Sequence, residues 1–137
     1  AVPIGRMVAR MMQEYEAFKE NPEFNPKREG IIRFDEQDDE TKAKLIAEDP
    51  DYGEVICRCE KVTKAEILKA IHNTLGVHTM TGIKYRTRSM MGRCQGGYCQ
   101  MRIEKMIEDE LGVKDTDIRY ARQNSWMFTG EVRKEEQ

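Results

Sequence analysis

Val55-Ile56-Cys57-Arg58-Cys59-Glu60-Lys61-Val62-Thr63-Lys64-Ala65-Glu66 changes character in its middle. Its first half, Val55–Cys59, is β-branched and too short for a helix, so it predicts an extended segment carrying two cysteines. Its second half is a capping box. Thr63 and Glu66 stand three apart, so the hydroxyl and the carboxylate can each satisfy a free backbone N–H at a helix start. Ile67, Leu68, Ile71 and Leu75 supply the expected buried face of that helix, and Gly76 is its expected stop.

Downstream, a second short helix is predicted over Met80–Arg88. Gly92–Tyr98 holds three glycines and must be a loop. A third helix starts near Cys99, is expected to bury Ile103, Met106, Ile107 and Leu111, and ends at Gly112. Val113–Gln137 has weak periodicity and a charged end, with Trp126 as its one large anchor. No internal repeat is visible.

Upstream, Met7, Val8, Met11, Met12, Tyr15 and Phe18 recur at helical spacing until Asn21-Pro22. Such a stripe normally packs on a neighbour. The chain opens on Ala1 directly into this helix, and the expectation is a piece of a longer protein whose other part supplies that neighbour. Left alone, the N-terminal helix would be exposed or would pair two copies as a homodimer. Asn21–Arg33 reads as an irregular linker, Asp35–Glu40 as a solvated acidic run, and Thr41–Glu48 as a short helix around Leu45 and Ile46. The fold class is therefore mainly α, with the cysteines on loops and helix starts.

With 137 residues, 39% hydrophobic and 35% charged, the chain fits one domain with a modest apolar core. Small domains of this kind are often stapled by a metal or by disulfides. A net charge of -2 gives no case for nucleic acid. No apolar run is long enough for a transmembrane segment. Ala1–Arg10 lacks the basic-then-apolar order of a signal peptide, so the cytoplasmic compartment is expected, where grouped cysteines serve more often as ligands than as disulfides.

The four cysteines form two tight pairs, Cys57-x-Cys59 and Cys94-x4-Cys99, far apart in the chain. Three readings compete. Structural zinc suits four thiolates, but its usual chelating loop is longer than a Cys-x-Cys turn. Disulfides are disfavoured by compartment. The third reading is an iron–sulfur centre, in which two irons share the four thiolates. Spacing alone leaves all three open.

Charge shifts the balance. Ile83–Ile103 contains Lys84, Arg86, Arg88, Arg93 and Arg102 but no acid, in a chain that is slightly acidic overall. Such cations, with Arg58 inside the first pair, would offset the negative charge of a thiolate-bound iron centre. Gly92, Gly96 and Gly97 let the loop curl closely and aim N–H groups at sulfur. Cys99 at a helix start gains from the positive end of the helix dipole. His72 and His78 sit on or just after the first helix of this region, and the histidine at both pairs that a Rieske-type arrangement needs is absent.

Val55-Ile56-Cys57-Arg58-Cys59-Glu60, Val62-Thr63, Arg86-Thr87-Arg88 and Met91-Gly92-Arg93-Cys94-Gln95-Gly96-Gly97-Tyr98-Cys99 closely resemble the [2Fe–2S] domain of the bacterioferritin-associated ferredoxin (BFD) family. The four-residue gap between Cys94 and Cys99 is similar to the version appended to FAD-dependent glycerol-3-phosphate dehydrogenases and related flavin oxidoreductases. Stand-alone ferredoxins usually have a shorter gap there. Asn25-Pro26, Asp49–Gly53 and Ser125-Trp126 resemble the linker and tail of those enzymes.

The resemblance implies a small helical domain, with helix-turn-helix units around a cluster site and all four cysteines as ligands. Residues 1–51 are then an N-terminal helix and linker ending a preceding enzyme domain. Residues 52–112 are the [2Fe–2S]-binding domain and 113–137 a tail. The implied role is electron transfer from flavin to an acceptor, with the upstream FAD domain as partner. No Gly-x-Gly-x-x-Gly fingerprint occurs, so FAD belongs to the parent enzyme only and this chain is not expected to be catalytic alone. Two other classes remain: an interaction module stabilised by zinc or a cluster, and an independent ferredoxin-like carrier.

Overall fold

The computed structural model of the chain describes residues 1–27 and 29–130. Arg28 of the expected linker and residues 131–137 of the expected tail lie outside the described residues. Five α-helices and one two-stranded hairpin are arranged in the order α1 (Val2–Tyr15), α2 (Asp39–Glu48), β1 (Val55–Cys57), β2 (Val62–Thr63), α3 (Lys64–Ile71), α4 (Met80–Thr87) and α5 (Gln100–Leu111). The fold is mainly α, as the periodicity predicts.

The extended segment is one arm of a hairpin that sequence patterning did not predict. β1 pairs antiparallel with β2, Val55 opposite Thr63 and Cys57 opposite Val62, so β1 carries one extra residue. A bulge of this kind breaks the alternation of faces. Ile56 and Cys57 are consequently both buried, although they are adjacent. The turn is closed by Lys61 in the left-handed region, at φ 49°.

β2 runs directly into α3 through the predicted capping box. The Glu66 carboxylate accepts from the Thr63 backbone N–H and from its hydroxyl, each at 2.8 Å, in a buried setting. Ile67 and Ile71 of α3, Met80 and Ile83 of α4, and Ile103 and Ile107 of α5 form one apolar core with Ile56, Val62 and Met90. Cys57 and Cys99 belong to that same core. Leu68, Met106 and Leu111 are only partly buried at its edge.

α3 ends earlier than predicted, and Leu75 is 76% exposed rather than part of the buried face. The cause is Asn73. Its amide nitrogen donates to the carbonyls of Ala70 and Val77, while its oxygen accepts from the N–H groups of Leu75 and Val77. These bonds fold the chain into a turn before another helical turn can form. Gly76, with φ +61°, sits inside that turn and does not cap the helix.

The tail returns to the core along α4. The carbonyls of Arg119 and Tyr120 accept from Met80 and Thr81, which are first-turn N–H groups that α4 cannot satisfy internally. Ile118 is buried at 3% exposure. Trp126 is instead 41% exposed, under the Arg119 guanidinium at 4.8 Å, so the buried anchor of the tail is Ile118 and not the tryptophan.

At the other end, no residue of α1 is buried, and Phe18 lies beyond its last turn. Its apolar stripe therefore has no partner among the described residues. The acidic run is more than a solvated stretch: Asp38 caps α2 by accepting from the Thr41 N–H at 2.8 Å, and Asp35 pairs with Lys61 at 2.9 Å. The segment is tied down by Phe34, which stacks on Tyr52 at 5.7 Å. The Tyr52 hydroxyl accepts from Lys69 of α3 at 2.6 Å. No helix of the described residues is long and apolar enough to cross a membrane.

Two expectations test this packing. Asn73→Ala should cost about 1–3 kcal/mol, because several hydrogen bonds go at once, while Leu75→Ala should stay within about 0.5 kcal/mol; urea unfolding of both variants measures the contrast. Glu104 on α5 is 4% exposed, and its Oε1 has no partner among the described residues. Burial, then the charges of Glu108 and Asp115, raise its carboxyl above the ordinary range. A carboxyl raised in the folded state favours folding when protonated and opposes it once pH passes the unfolded value and then the folded one. Glu104→Gln should therefore raise the unfolding midpoint at pH 7, with the gain disappearing at pH 4.

Candidate metal centre

The hairpin and the loop before α5 carry one cysteine pair each. Cys57 closes β1 and is 1% exposed; Cys59 lies in the turn and is exposed. Cys94 lies in the glycine loop, exposed, and Cys99 is the N-cap of α5, fully buried. The outer pair meets at a Cys59 Sγ–Cys94 Sγ distance of 3.6 Å. The inner two, Cys57 and Cys99, belong to the same buried core cluster. Two thiolates on one tetrahedral metal, with bonds near 2.3 Å, stand about 3.8 Å apart, so the outer pair has the span of one chelated edge.

The thiols are not gathered into one quartet. Among the described residues, no three His, Cys, Asp or Glu side chains stand together as a single metal ion would require. Cys59 and Cys94 lie at the surface and Cys57 and Cys99 in the core, on segments that adjoin at the outer two.

The loop needs its glycines for packing as well as for turning. A Cβ on Gly92 would collide with the Cys59 Cβ, so only glycine lets the loop lie against the hairpin turn. Gly96, with φ +92°, adopts a conformation that L side chains rarely take. Arg88, Met90 and Gln95 also have left-handed backbone. For non-glycine residues this costs on the order of 1 kcal/mol each, and such strain concentrates at functional sites.

These turns aim N–H groups at sulfur. The Tyr98 N–H, then the Cys59 thiol, then the Gly96 and Gly97 N–H groups hold the Cys94 thiol below its ordinary range. Cys99 is pushed the other way, up to about 11, first by burial and then by Cys57, against a stabilising N–H from Met90. Metal binding replaces the thiol protons, so a core thiol that resists ionisation when free is compensated when a cation takes its place. The thiol set, the N–H donors and the two-pair layout fit an iron–sulfur centre.

Around the thiols, Arg58 lies over the Tyr98 ring at 4.2 Å, and Arg102 approaches the same ring at 5.5 Å while donating to its hydroxyl at 3.1 Å. Arg58 belongs to the hairpin turn and Tyr98 to the glycine loop, so this stack clasps the two cysteine-bearing segments together. Arg93 lines the same surface depression as Arg58, Cys59 and Gly92. Arg88 and Arg102 are partly neutralised, pairing with Glu60 at 3.1 Å and Glu54 at 3.3 Å. Arg86 turns away, donating to the Gly82 carbonyl and the Asn73 side chain, so it serves the α3–α4 turn rather than the thiols. Met90, Glu54 and Glu60 were not foreseen. A backbone N–H has no sequence signature, and the two acids are distant in sequence from the arginines they meet.

Two cysteine-bearing segments, one a hairpin and one a glycine loop, adjoin in a small helical unit, with two of the four cysteines in its core and two at its surface. Residues 55–109 match the family described as BFD-like [2Fe-2S] binding domain, and that segment is such a domain. The chain is 42% identical over 119 residues to a glycerol 3-phosphate dehydrogenase of Caloramator mitchellensis, spanning 87% of this chain and 24% of that protein. It is 47% identical over 55 residues to hydrogen cyanide synthase subunit HcnB of Pseudomonas aeruginosa, covering 37% of this chain and 11% of the relative. The anaerobic glycerol-3-phosphate dehydrogenase of Escherichia coli strain K12 contains a polypeptide 36% identical over 57 residues, 42% of this chain and 10% of its own length. The chain thus spans between about a tenth and a quarter of these curated relatives. No solved structure matches it.

Gly92→Ala tests the close approach at the centre. It should at least halve the iron retained per chain after anaerobic reconstitution while leaving the far-UV helical signal in place.

Proposed function

We propose that Cys57, Cys59, Cys94 and Cys99 hold a [2Fe–2S] cluster, and that this chain is the electron-transfer part of a FAD-dependent oxidoreductase resembling glycerol-3-phosphate dehydrogenase. The observation that carries this reading is the contact between two sequence-distant cysteine-bearing segments, with Cys59 and Cys94 at 3.6 Å. When bound, the cluster supplies one-electron chemistry, which matches a two-electron donor such as flavin to a one-electron acceptor.

The residues of the chain hold and tune. Cys57 and Cys99 fix two ligands in the core, where their positions are set by packing. The N–H groups of Gly96, Gly97 and Tyr98 lower the Cys94 thiol and that of Met90 acts in the same sense on Cys99, while Arg58 and Arg93, beside Cys59, are placed to offset negative charge. In this reading residues 1–51 end a preceding domain, 52–112 form the cluster unit and 113–137 a tail. FAD and substrate bind in the rest of the parent protein, which works in the cytoplasm. The exposed apolar stripe of α1 is the part of this chain suited to seat on that upstream FAD domain. The names of the relatives support the parent class, because the one sharing 87% of this chain is a glycerol 3-phosphate dehydrogenase.

Anaerobic purification followed by iron, acid-labile sulfide and zinc analysis tests the reading. Two irons and two sulfides per chain are expected; one zinc without sulfide overturns it. Each single Cys→Ser change should cut occupancy sharply, and full occupancy in any one removes that residue from the ligand set.

A further inference from the structure

The two thiol pairs differ in depth. Cys57 and Cys99 are closed off by the core, whereas Cys59 and Cys94 open to solvent between the hairpin turn and the glycine loop. Any partner that exchanges electrons here must approach the outer edge. Two of its arginines, Arg58 and Arg93, are exposed and form no ion pair among the described residues, unlike Arg88 and Arg102, which meet Glu60 and Glu54.

Arg58 is also held in place. Its guanidinium lies on the Tyr98 ring, whose other polar contact is Arg102. A stacked guanidinium keeps its N–H fork free for carboxylates and loses little freedom when it binds one. Arginine and tyrosine are the side chains enriched at the energetic centres of protein interfaces, whereas lysine is depleted there. The depression that Arg58 and Arg93 line beside Cys59 holds no lysine, and its acid, Glu60, is already paired with Arg88 at 3.1 Å.

We propose that the edge formed by Arg58, Arg93 and Tyr98 around Cys59 and Cys94 is the docking face for a protein electron partner whose contact surface is rich in carboxylates. The inference rests on the cluster reading above. It adds which side of the site is used and the charge of what is met there.

The sign of a salt effect decides it. The chain is loaded anaerobically, its iron and sulfide are counted, and it is reduced. It is then mixed in stopped flow with ferricyanide, an anion, or hexaamminecobalt(III), a cation. One electron passes to each metal complex, giving ferrocyanide or cobalt(II).

If the arginines govern approach, the second-order rate with ferricyanide falls by roughly fivefold as ionic strength rises, and the rate with the cation does not fall. Arg93→Glu should lower the low-salt ferricyanide rate several-fold. Arg58→Gln should lower it less, and Arg10→Glu on α1 should leave it unchanged. A redox titration of each variant reads the midpoint potential, so that a rate change from driving force is recognised and counted against the proposal.

A ferricyanide rate that rises with salt, or stays flat, in fully loaded chain overturns the docking face and leaves the cluster reading standing. Absence of iron overturns both. Loss of iron in Arg93→Glu alone does not stall the test, because the salt dependence of the unaltered chain is itself decisive.

Discussion

Contact between the hairpin turn and the glycine loop is the constraint on which the rest of this structure depends. The thiol pairs belong to segments separated by α3, α4 and their connections, and Gly92, lying directly against Cys59, lets those segments adjoin so that Cys59 meets Cys94. Everything nearby serves that approach. The bulge in β1 turns Cys57 inward beside Ile56, left-handed residues bend the loop, and the Arg58–Tyr98 stack closes the seam from outside.

The centre is continuous with the hydrophobic core. Cys57 and Cys99 pack among the isoleucines of α3, α4 and α5, so half of the proposed ligand set is positioned by the same contacts that stabilise the domain. Burial has a cost, visible in the raised Cys99 thiol, and N–H groups offset part of it. The outer pair is positioned differently, by turns and by the contact of Cys59 with Cys94. Folding and metal binding should therefore be tightly linked at the inner pair, and the outer pair should respond more to solvent.

Much of this was legible in the residues. The capping box at Thr63 and Glu66, the start of α3, the helix α5 and the glycine loop each have a local physical signature, and each formed where its signature lies. The identity of the family followed from cysteine spacing in its motif context. What escaped depends on non-local partners. The two residues of β2 are too few to show alternation, and the pairing exists only because a bulge adjusts the register. Leu75 fitted the helical period, but Asn73 outcompeted the helix for its own carbonyls. Arg86 looked equivalent to its neighbours in charge, yet its orientation was set by the turn packed beside it.

The return of the tail along α4 bears on how small a working excision of this unit can be. Residues 55–109 delimit the recognisable family segment, but the carbonyls that complete the first turn of α4 come from Arg119 and Tyr120, and Ile118 fills part of the core. A fragment trimmed at Asp109 would leave two amide groups without acceptors and open a hole beside Met80. The smallest self-sufficient piece must run at least through Met127, whose N–H closes the tail onto the Ile118 carbonyl.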